Sequence, residues 1–559
     1  TYAFENLADG KFLTIQNYFA ENDSSKPYWS QESSGKYIIQ SAAPQVNWNE
    51  RFDVQYYADS KYYTIASHLQ TSRDTSSAVS PVYVENDTLK CGKSDDAYRF
   101  YLEEVENQDK LRVLQEVDGS SVRLFWKPVN QDKTPANYTV EGQTVSYDAQ
   151  NDVLYTEIGN LEPKLHDFTV NYQNQEETVT VRIFNHLALA HSEAQLDAMR
   201  AHVAKKEEPW YSDYQRLVNQ VPYNMSNASY EVTAYEAVGR GDPAGHGNIA
   251  AYERSSNAAY FNALQWVITG EDKYAAKGVE ILNAWCGLKI LDGRDRILGA
   301  AISTYRMNNA AEILKYYHGG YSGYTDEDFK NYQDMMLNVI YPVIQDLGLP
   351  MIANGNWDTA AMAGMVSIGA VCENTEIFER AVYLYQDIHT NGSVAVYVSD
   401  WGQSVESFRD QAHAQFGISL LADVCAIAEK QGIDLWGLYD NRLAKAFNWA
   451  AQYNLYDTEN LKMEPLTDVY GRNRWSSIDS EKINRGELRS VYELPLAHYA
   501  KVSGVDVTWM KMAAEAMRPQ GFVNNDHLNF GTLTTYNGEP TKAAEPYFQL
   551  RTRLEPWYQ

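Results

Sequence analysis

Cysteine is scarce, cations are outnumbered, and no apolar run is long enough to cross a bilayer. The four cysteines, Cys91, Cys286, Cys372 and Cys425, are scattered over 559 residues with no Cys-x-x-Cys pair. That scatter excludes a disulfide framework. Cys286, Cys372 and Cys425 lie in apolar helical sequence and read as buried thiols. Lys and Arg number 47 against 74 Asp and Glu, a formal net charge of −27. This balance argues against nucleic acid as a partner and against an anionic membrane surface as a docking site. A spanning helix needs roughly 18 or more consecutive apolar residues, and none is present. The loop GRGDPAGHGNIAAYERSSNAAY is glycine-rich, but its glycines follow no strand and match no phosphate-binding spacing. His246 within it is a candidate cleft residue. No set of His and carboxylates has metal-ligand spacing, so no metal and no other cofactor is expected.

Aromatics, by contrast, are abundant, with 42 Tyr and 13 Trp. A flat ring with a polar tip suits a sugar-binding surface. β-Rich domains favour the same residues on packing grounds. The length calls for two to four domains.

Three regions follow one another. Residues 1–120 alternate apolar and polar residues in GKFLTIQ, SGKYIIQ, RFDVQYYADSKYYTIAS and YRFYLEEVENQDKLRVLQ, with Asn, Asp, Gly and Ser at the breaks. The approximate repeat resembles a β-trefoil, a fold that often binds carbohydrate. Residues 121–186 hold short strands in VRLFWKPV, VLYTEIGNLEP and ETVTVRIF. They resemble a fibronectin type III or other small immunoglobulin-like sandwich, short by about one strand, and read as a spacer. Residues 187–559 switch to helical periodicity, opening on Ser192 with Gln195 three residues on, a capping box. About ten further helical patterns with short breaks predict stacked antiparallel pairs. DHLNFGTLTTY near the C-terminus has some strand character.

The densest polar sequence lies between Asn354 and Ala428. NGNWDTAAMAGMVSIGAV and DWGQSVESFRDQAHAQFGISLLADVCAIA each start polar and continue apolar. If the second is helical from its start, Glu406, Arg409 and His413 share one face, which continues as Phe416, Leu420 and Val424. The polar residues then point toward the core at a helix end. Downstream, Arg472, Arg474, Lys482, Arg485 and Arg489 face only Asp479, Glu481 and Glu487, a locally basic stretch in an acidic chain. Such a stretch suits an anionic polymer.

ESFRDQAHAQFGISLLADVCAIAEKQGIDLW and DNRLAKAFNWAAQYNL resemble the helical catalytic domain of alginate-lyase-type polysaccharide lyases. So do NAAYFNALQWVITGEDKYAAKGVEILNAW and YRMNNAAEILKYY upstream, and SVYELPLAHYA and DHLNFGTLTTY downstream. The resemblance implies an incomplete (α/α) toroid over 187–559 and β-elimination of a 4-linked polyuronate, an anionic polysaccharide. One branch of the family has Asn-Asn-His at the first cluster and a catalytic Tyr seven residues after an Arg. Here the first cluster is Asn354-Gly355-Asn356-Trp357, and Phe416 stands seven residues after Arg409. The layout is more similar to polysaccharide lyase family 38, which implies Asn356, His413 and a later Tyr. Tyr470 is that Tyr, with Tyr456 the alternative.

Elimination needs the uronate carboxylate neutralised, a base for the C5 proton and an acid for the leaving oxygen. Asn356 and Arg409 suit the first task, Tyr470 the other two, and His413 an orienting or assisting role. Gln411, Trp357, Glu406, Arg472, Arg474 and His246 are expected to contact substrate. Tyr chemistry favours mannuronate or glucuronate over guluronate. Two other functions compete: a glycoside hydrolase on the same toroid, using a pair from Asp358, Glu406, Asp410 and Glu493, and a non-catalytic polysaccharide binder. The chain begins at Thr1 without Met, which reads as a trimmed form of a secreted, periplasmic or cell-surface protein. A monomer is expected.

Overall fold

In a computed structural model, the described residues are the backbone of eight strands between Tyr2 and Cys91, then residues 110–241, 246–345, 347, 355–388, 390–468, 471–472, 475 and 485–540. The chain divides into two compact units, Thr1–Phe184 and Asn185–Gln559.

The first unit is all β. Strands β1 (Tyr2–Leu7), β2 (Phe12–Asn17), β3 (Tyr28–Gln31), β4 (Ile38–Ser41), β5 (Phe52–Tyr57), β6 (Tyr62–Ser67), β7 (Ser80–Glu85) and β8 (Thr88–Cys91) pair in sequence order as four antiparallel hairpins. The hairpins join along the path β4-β3-β2-β5-β6-β7-β8, and the two ends of the path, β4 and β8, approach each other.

Seven further strands form two sheets. One has the order β12 (Ser146–Asp148), β13 (Val153–Ile158), β10 (Ser121–Trp126), β9 (Val113–Asp118); the other has β11 (Tyr138–Val140), β14 (Leu165–Tyr172), β15 (Gln175–Arg182). This is the four-plus-three strand order of a constant-type immunoglobulin sandwich. The expectation of a missing strand is corrected: the sandwich begins at β9, before residue 121. The sequence LRVLQ, assigned above to the trefoil, turns at Gly119 into β10, and Asp118 pairs with Ser121 across that two-residue turn. Gly119 has φ +55 there, as such a hairpin requires. Val122, Leu124 and Trp126 alternate into the core, where Trp126 meets Tyr138 and Tyr138 stacks on Tyr172 at 4.4 Å.

The second unit is helical: α1 (Glu193–Ala204), α2 (Trp210–Asn219), α3 (Ile249–Thr269), α4 (Asp272–Trp285), α5 (Arg296–Tyr316), α6 (Asp326–Met335), α7 (Tyr341–Ile344), α8 (Gly355–Val371), α9 (Thr375–Gln386), α10 (Val394–Tyr397), α11 (Gln411–Lys430), α12 (Leu438–Asn454), α13 (Glu493–Tyr499), α14 (Thr508–Met517) and α15 (Gly531–Thr534). The Ser192–Gln195 capping box predicted for α1 is formed in both directions. The strand character of DHLNFGTLTTY gives way to a loop and the short α15. Asn529 binds the backbone of Val523, Asn524 and His527 and so pins that loop.

Helices α3, α5, α8 and α11 are successive neighbours in an inner row, with α4, α6, α9 and α12 behind them. The inner helices run in the same direction. Strand β16 (Ala237–Gly239), just before α3, pairs in parallel with β17 (Ile290–Asp292), just before α5, so the two helices start side by side. Between α5 and α8, Ala301 lies against Gly364 and Asn308 donates to Ser367, contacts that advance together along both helices. Asn356 at the start of α8 binds Glu406 just ahead of α11. All four inner N-termini therefore gather at one end, called the mouth below.

Close approach of the two layers depends on small residues. A Cβ on Gly369 of α8 would lie 2.6 Å from the Phe378 nitrogen and 2.7 Å from its Cα on α9. That neighbour is backbone and cannot swing aside. Gly369→Ala should therefore destabilise the helical unit by roughly 1–3 kcal/mol. The check is the denaturant midpoint followed by circular dichroism, and an unchanged midpoint would contradict this packing.

Candidate active site

The site is built on a carboxylate. Glu406 is fully buried, in a turn that precedes α11. It accepts from the Asn356 backbone N at 3.1 Å, from Asn356 Nδ2 at 2.6 and 2.8 Å, from the Tyr397 hydroxyl at 2.9 Å and from Arg409 Nη1 at 2.8 Å. Burial and the Glu406 charge push the Tyr397 hydroxyl well above its ordinary value, so Tyr397 stays a donor and is no candidate base. Two glycines make room for its ring: a Cβ on Gly355 would lie 2.5 Å from it, and one on Gly417 would meet its ring and hydroxyl.

Glu406, Arg409 and His413 do not lie on one helical face, contrary to the spacing argument. Asp410 is extended, φ −171 and ψ 161, and is the N-cap of α11, its carboxylate accepting from the His413 backbone N. An Asp followed by helix-forming sequence favours that cap over helix continuation. The helix thus begins five residues later than the face argument requires, and the three residues meet through the capped turn instead. Phe416, Leu420 and Val424 are buried as expected.

The same cap orients His413. Its Nδ1 lies 2.8 and 2.7 Å from the two Asp410 oxygens. With Nδ1 protonated and donating, Nε2 is left as a free acceptor. The His413 side chain is 37% exposed, and Nε2 has no partner among the described residues. Burial pushes Asp410 up, but the side-chain and backbone hydrogen bonds from His413 outweigh it and hold the carboxyl below its ordinary value. Two other histidines under the mouth cannot serve. His191 and His527 are buried, and that burial pushes each down to about 3. With Asp423 they border a small cavity of about 60 Å³.

The predicted residues divide as follows. Asn356, Glu406, Arg409 and His413 come together. Asn356 is fully buried with its amide spent on Glu406, so it backs the site rather than facing substrate. Arg409 is 25% exposed and lies over the Trp475 ring at 5.8 Å. Gln411 is buried and bridges Ser407 to Asn454. Trp357 is half-buried at the start of α8. His246 sits at the mouth, held 2.7 Å from Asp292. Arg472 is committed to Asp468, Arg489 to Asp526, and Arg485 to the Tyr453 carbonyl, so the basic stretch is largely spent on internal contacts. Tyr470 and Arg474 lie outside the described residues. Tyr456 is 40% exposed after α12, its hydroxyl donating to the Arg485 carbonyl at 3.2 Å.

The carboxylates of the hydrolase alternative are occupied. Asp358 accepts from the Gly392 N, Glu493 is ion-paired with Arg518 at 2.6 Å, and Glu406 is enclosed. Among the described residues, Glu193, Asp197 and His318 have metal-ligand spacing. They lie beside the start of α1 and the end of α5, away from the mouth, and bind one another. Sequence reasoning missed Tyr397 and the orienting role of Asp410. The pair Asp410 and His413, three residues apart across a helix start, carries a signal for the second; Tyr397 carries none.

Residues 190–461 match the alginate lyase family. No curated protein matches. Among solved structures, an alginate lyase from Bacteroides ovatus aligns over 64% of this chain and 100% of its own at 11% identity, TM-score 0.41. Alginate lyase A1-III from Sphingomonas species A1 aligns over 63% of this chain and 98% of its own at 14% identity, TM-score 0.41.

Asp410 has two separable tasks, capping and orienting. Asp410→Ala should cost about 1 kcal/mol at neutral pH through loss of the cap. Because the folded carboxyl titrates below its ordinary value, its contribution is present above that range and is lost as pH falls through it. The stability gap between Asp410→Ala and the parent should therefore narrow below about pH 3.9. Asp410→Asn keeps an acceptor for the cap but not the carboxylate, and should retain stability while turnover falls about 10²-fold. Urea titrations across pH and steady-state rates check both.

Proposed function

From a helical unit of the alginate-lyase type over residues 190–461, we propose that the chain is a polysaccharide lyase that cleaves a 4-linked polyuronate by β-elimination. The observation that carries this is the cluster at the mouth. There a buried carboxylate aims one guanidinium, and an Asp-oriented histidine stands beside it with its second nitrogen outward. The two-layer helical row supports an incomplete (α/α) toroid, and the four N-terminal hairpins support a β-trefoil-like module, for which a carbohydrate-binding role is proposed from its likeness to that fold alone. A polymer too large to enter a cell is met outside the cytoplasm, which fits a secreted, periplasmic or cell-surface enzyme acting as a monomer.

In this mechanism the exposed part of Arg409 binds the uronate carboxylate and offsets the charge that develops as C5 loses its proton. Asn356 acts from behind, as a positioning residue that holds Glu406 and through it Arg409. A tyrosine is base and acid: it takes the C5 proton, the C4–O bond breaks, and the same hydroxyl returns the proton to the leaving oxygen. Tyr470 is the proposed group. His413 Nε2 draws off the tyrosine proton beforehand, which a hydroxyl of ordinary pKa about 10 needs in order to act as a base. The preferred substrate is a mannuronate or glucuronate polymer, in which the C5 proton and the leaving oxygen lie on one face.

Elimination leaves a double bond and hydrolysis does not. Incubation with alginate, its mannuronate-rich and guluronate-rich blocks, glucuronan and pectate should give ultraviolet-absorbing products, most from mannuronate or glucuronan. New reducing ends without absorbance would mean hydrolysis. Tyr470→Phe should lower kcat by at least about 10²-fold with little change in substrate binding. If Tyr456→Phe is the inactive variant instead, the tyrosine is misassigned and the reaction stands. If both remain active and His413→Ala alone is dead, the single-tyrosine route is wrong.

A further inference from the structure

A second opening lies at the mouth, on the side of α3 away from α5. It is a cavity of about 350 Å³, bordered by Tyr223, Asn224, Ser229, Glu231, Thr233 and Arg254, within the range of small-ligand sites. Its wall is fixed before any ligand arrives. Asn262 Nδ2 of α3 donates to the Met225 carbonyl at 3.0 Å, Gln265 Nε2 donates to the Ser226 carbonyl, and the Tyr230 hydroxyl binds Ser255 at 3.1 Å. Residues 222–230 are thereby fastened along the helix.

Two features of that wall are unusual for a surface. Tyr223 is 69% exposed although it sits in a fastened segment, on left-handed backbone with φ 56. Arg254 stands 5.1 Å from the Tyr223 ring centroid and forms no ion pair among the described residues. Most other guanidinium groups at the mouth are already bound to a carboxylate or carbonyl, Arg240 to Glu253, Arg409 to Glu406 and Arg489 to Asp526. A flat exposed ring with a guanidinium that lies over it and holds no carboxylate among the described residues matches one anionic sugar: the exposed ring stacks on a pyranose face, and the guanidinium takes its carboxylate. Asn224, Ser229 and Thr233 supply neutral hydrogen-bonding groups for ring hydroxyls. Glu231 bears the wrong sign for a carboxylate, so the anionic group belongs on the Arg254 side.

We propose that Tyr223 and Arg254 form an outlying subsite for a uronate residue of the polymer, beyond the sugars held at Arg409 and His413. The proposal rests on the lyase reading above. Its role is to hold long chains: it contributes to binding in the same degree before and during reaction, so it acts on KM and not on kcat.

The test compares polymannuronate with its tetrasaccharide on the full chain. Tyr223→Ala and Arg254→Gln should each raise KM for the polymer by about tenfold, the size of one lost stacking or charged contact, with kcat within about twofold of the parent. Tetrasaccharide kinetics and the unfolding midpoint should stay as in the parent. Unchanged polymer KM in both variants would overturn the subsite, and so would an equal rise for polymer and tetrasaccharide. If the parent yields no unsaturated product from any polyuronate, the lyase reading has failed, and migration through a gel containing polymannuronate then decides the subsite alone. Retardation of the parent that is lost in Arg254→Gln upholds it; equal migration of the two overturns it.

Discussion

A carboxylate shut away from water is costly unless every oxygen is matched, and Glu406 is matched by two donors from Asn356, one from Tyr397 and one from Arg409. Removing one partner of such a cluster leaves an uncompensated buried charge, typically a loss of several kcal/mol. The cluster therefore holds the turn ahead of α11 against the start of α8. It also fixes where Arg409 emerges. The arrangement at the mouth leans on this one charge, because it ties the turn carrying Arg409 and Asp410 directly to the first residues of α8.

The fold supplies the setting. Parallel inner helices bring four N-termini, the positive ends of their dipoles, to the same end. An anionic polymer can be drawn to such an end even in a protein of net charge −27, because the field at a site is set by nearby groups and not by the total. The basic stretch from Arg472 to Arg489 contributes less than its composition suggests, since Arg472, Arg485 and Arg489 are bound to protein partners.

Much of this was legible in the sequence because it rests on local rules. Ser192 and Gln195 announce a helix start in both directions, and the apolar stripe at Phe416, Leu420 and Val424 marks a buried face. The pairing of Asn356 with the Glu406 region was visible only as two polar clusters opening two helices. What failed was periodicity carried through a cap: Asp410 ends the helical register, so spacing counted across it had no geometric meaning. Tyr397 was invisible because its partner lies nine residues away through a turn, and its place is defined by space left at Gly355 and Gly417. The sandwich boundary was misplaced for a related reason. Alternation alone cannot say which sheet a strand joins, and the turn at Gly119 decided it.

The central claim is that Glu406 aims Arg409 at a substrate carboxylate beside His413. A crystal structure of the tyrosine-to-phenylalanine variant that proves inactive, bound to a polyuronate tetrasaccharide, tests this directly. The account predicts a uronate carboxylate within hydrogen-bonding distance of the Arg409 guanidinium, with C5 of that sugar facing the tyrosine position and His413 alongside. A tetrasaccharide bound away from the mouth, or seated there with every carboxylate turned from Arg409, would contradict it.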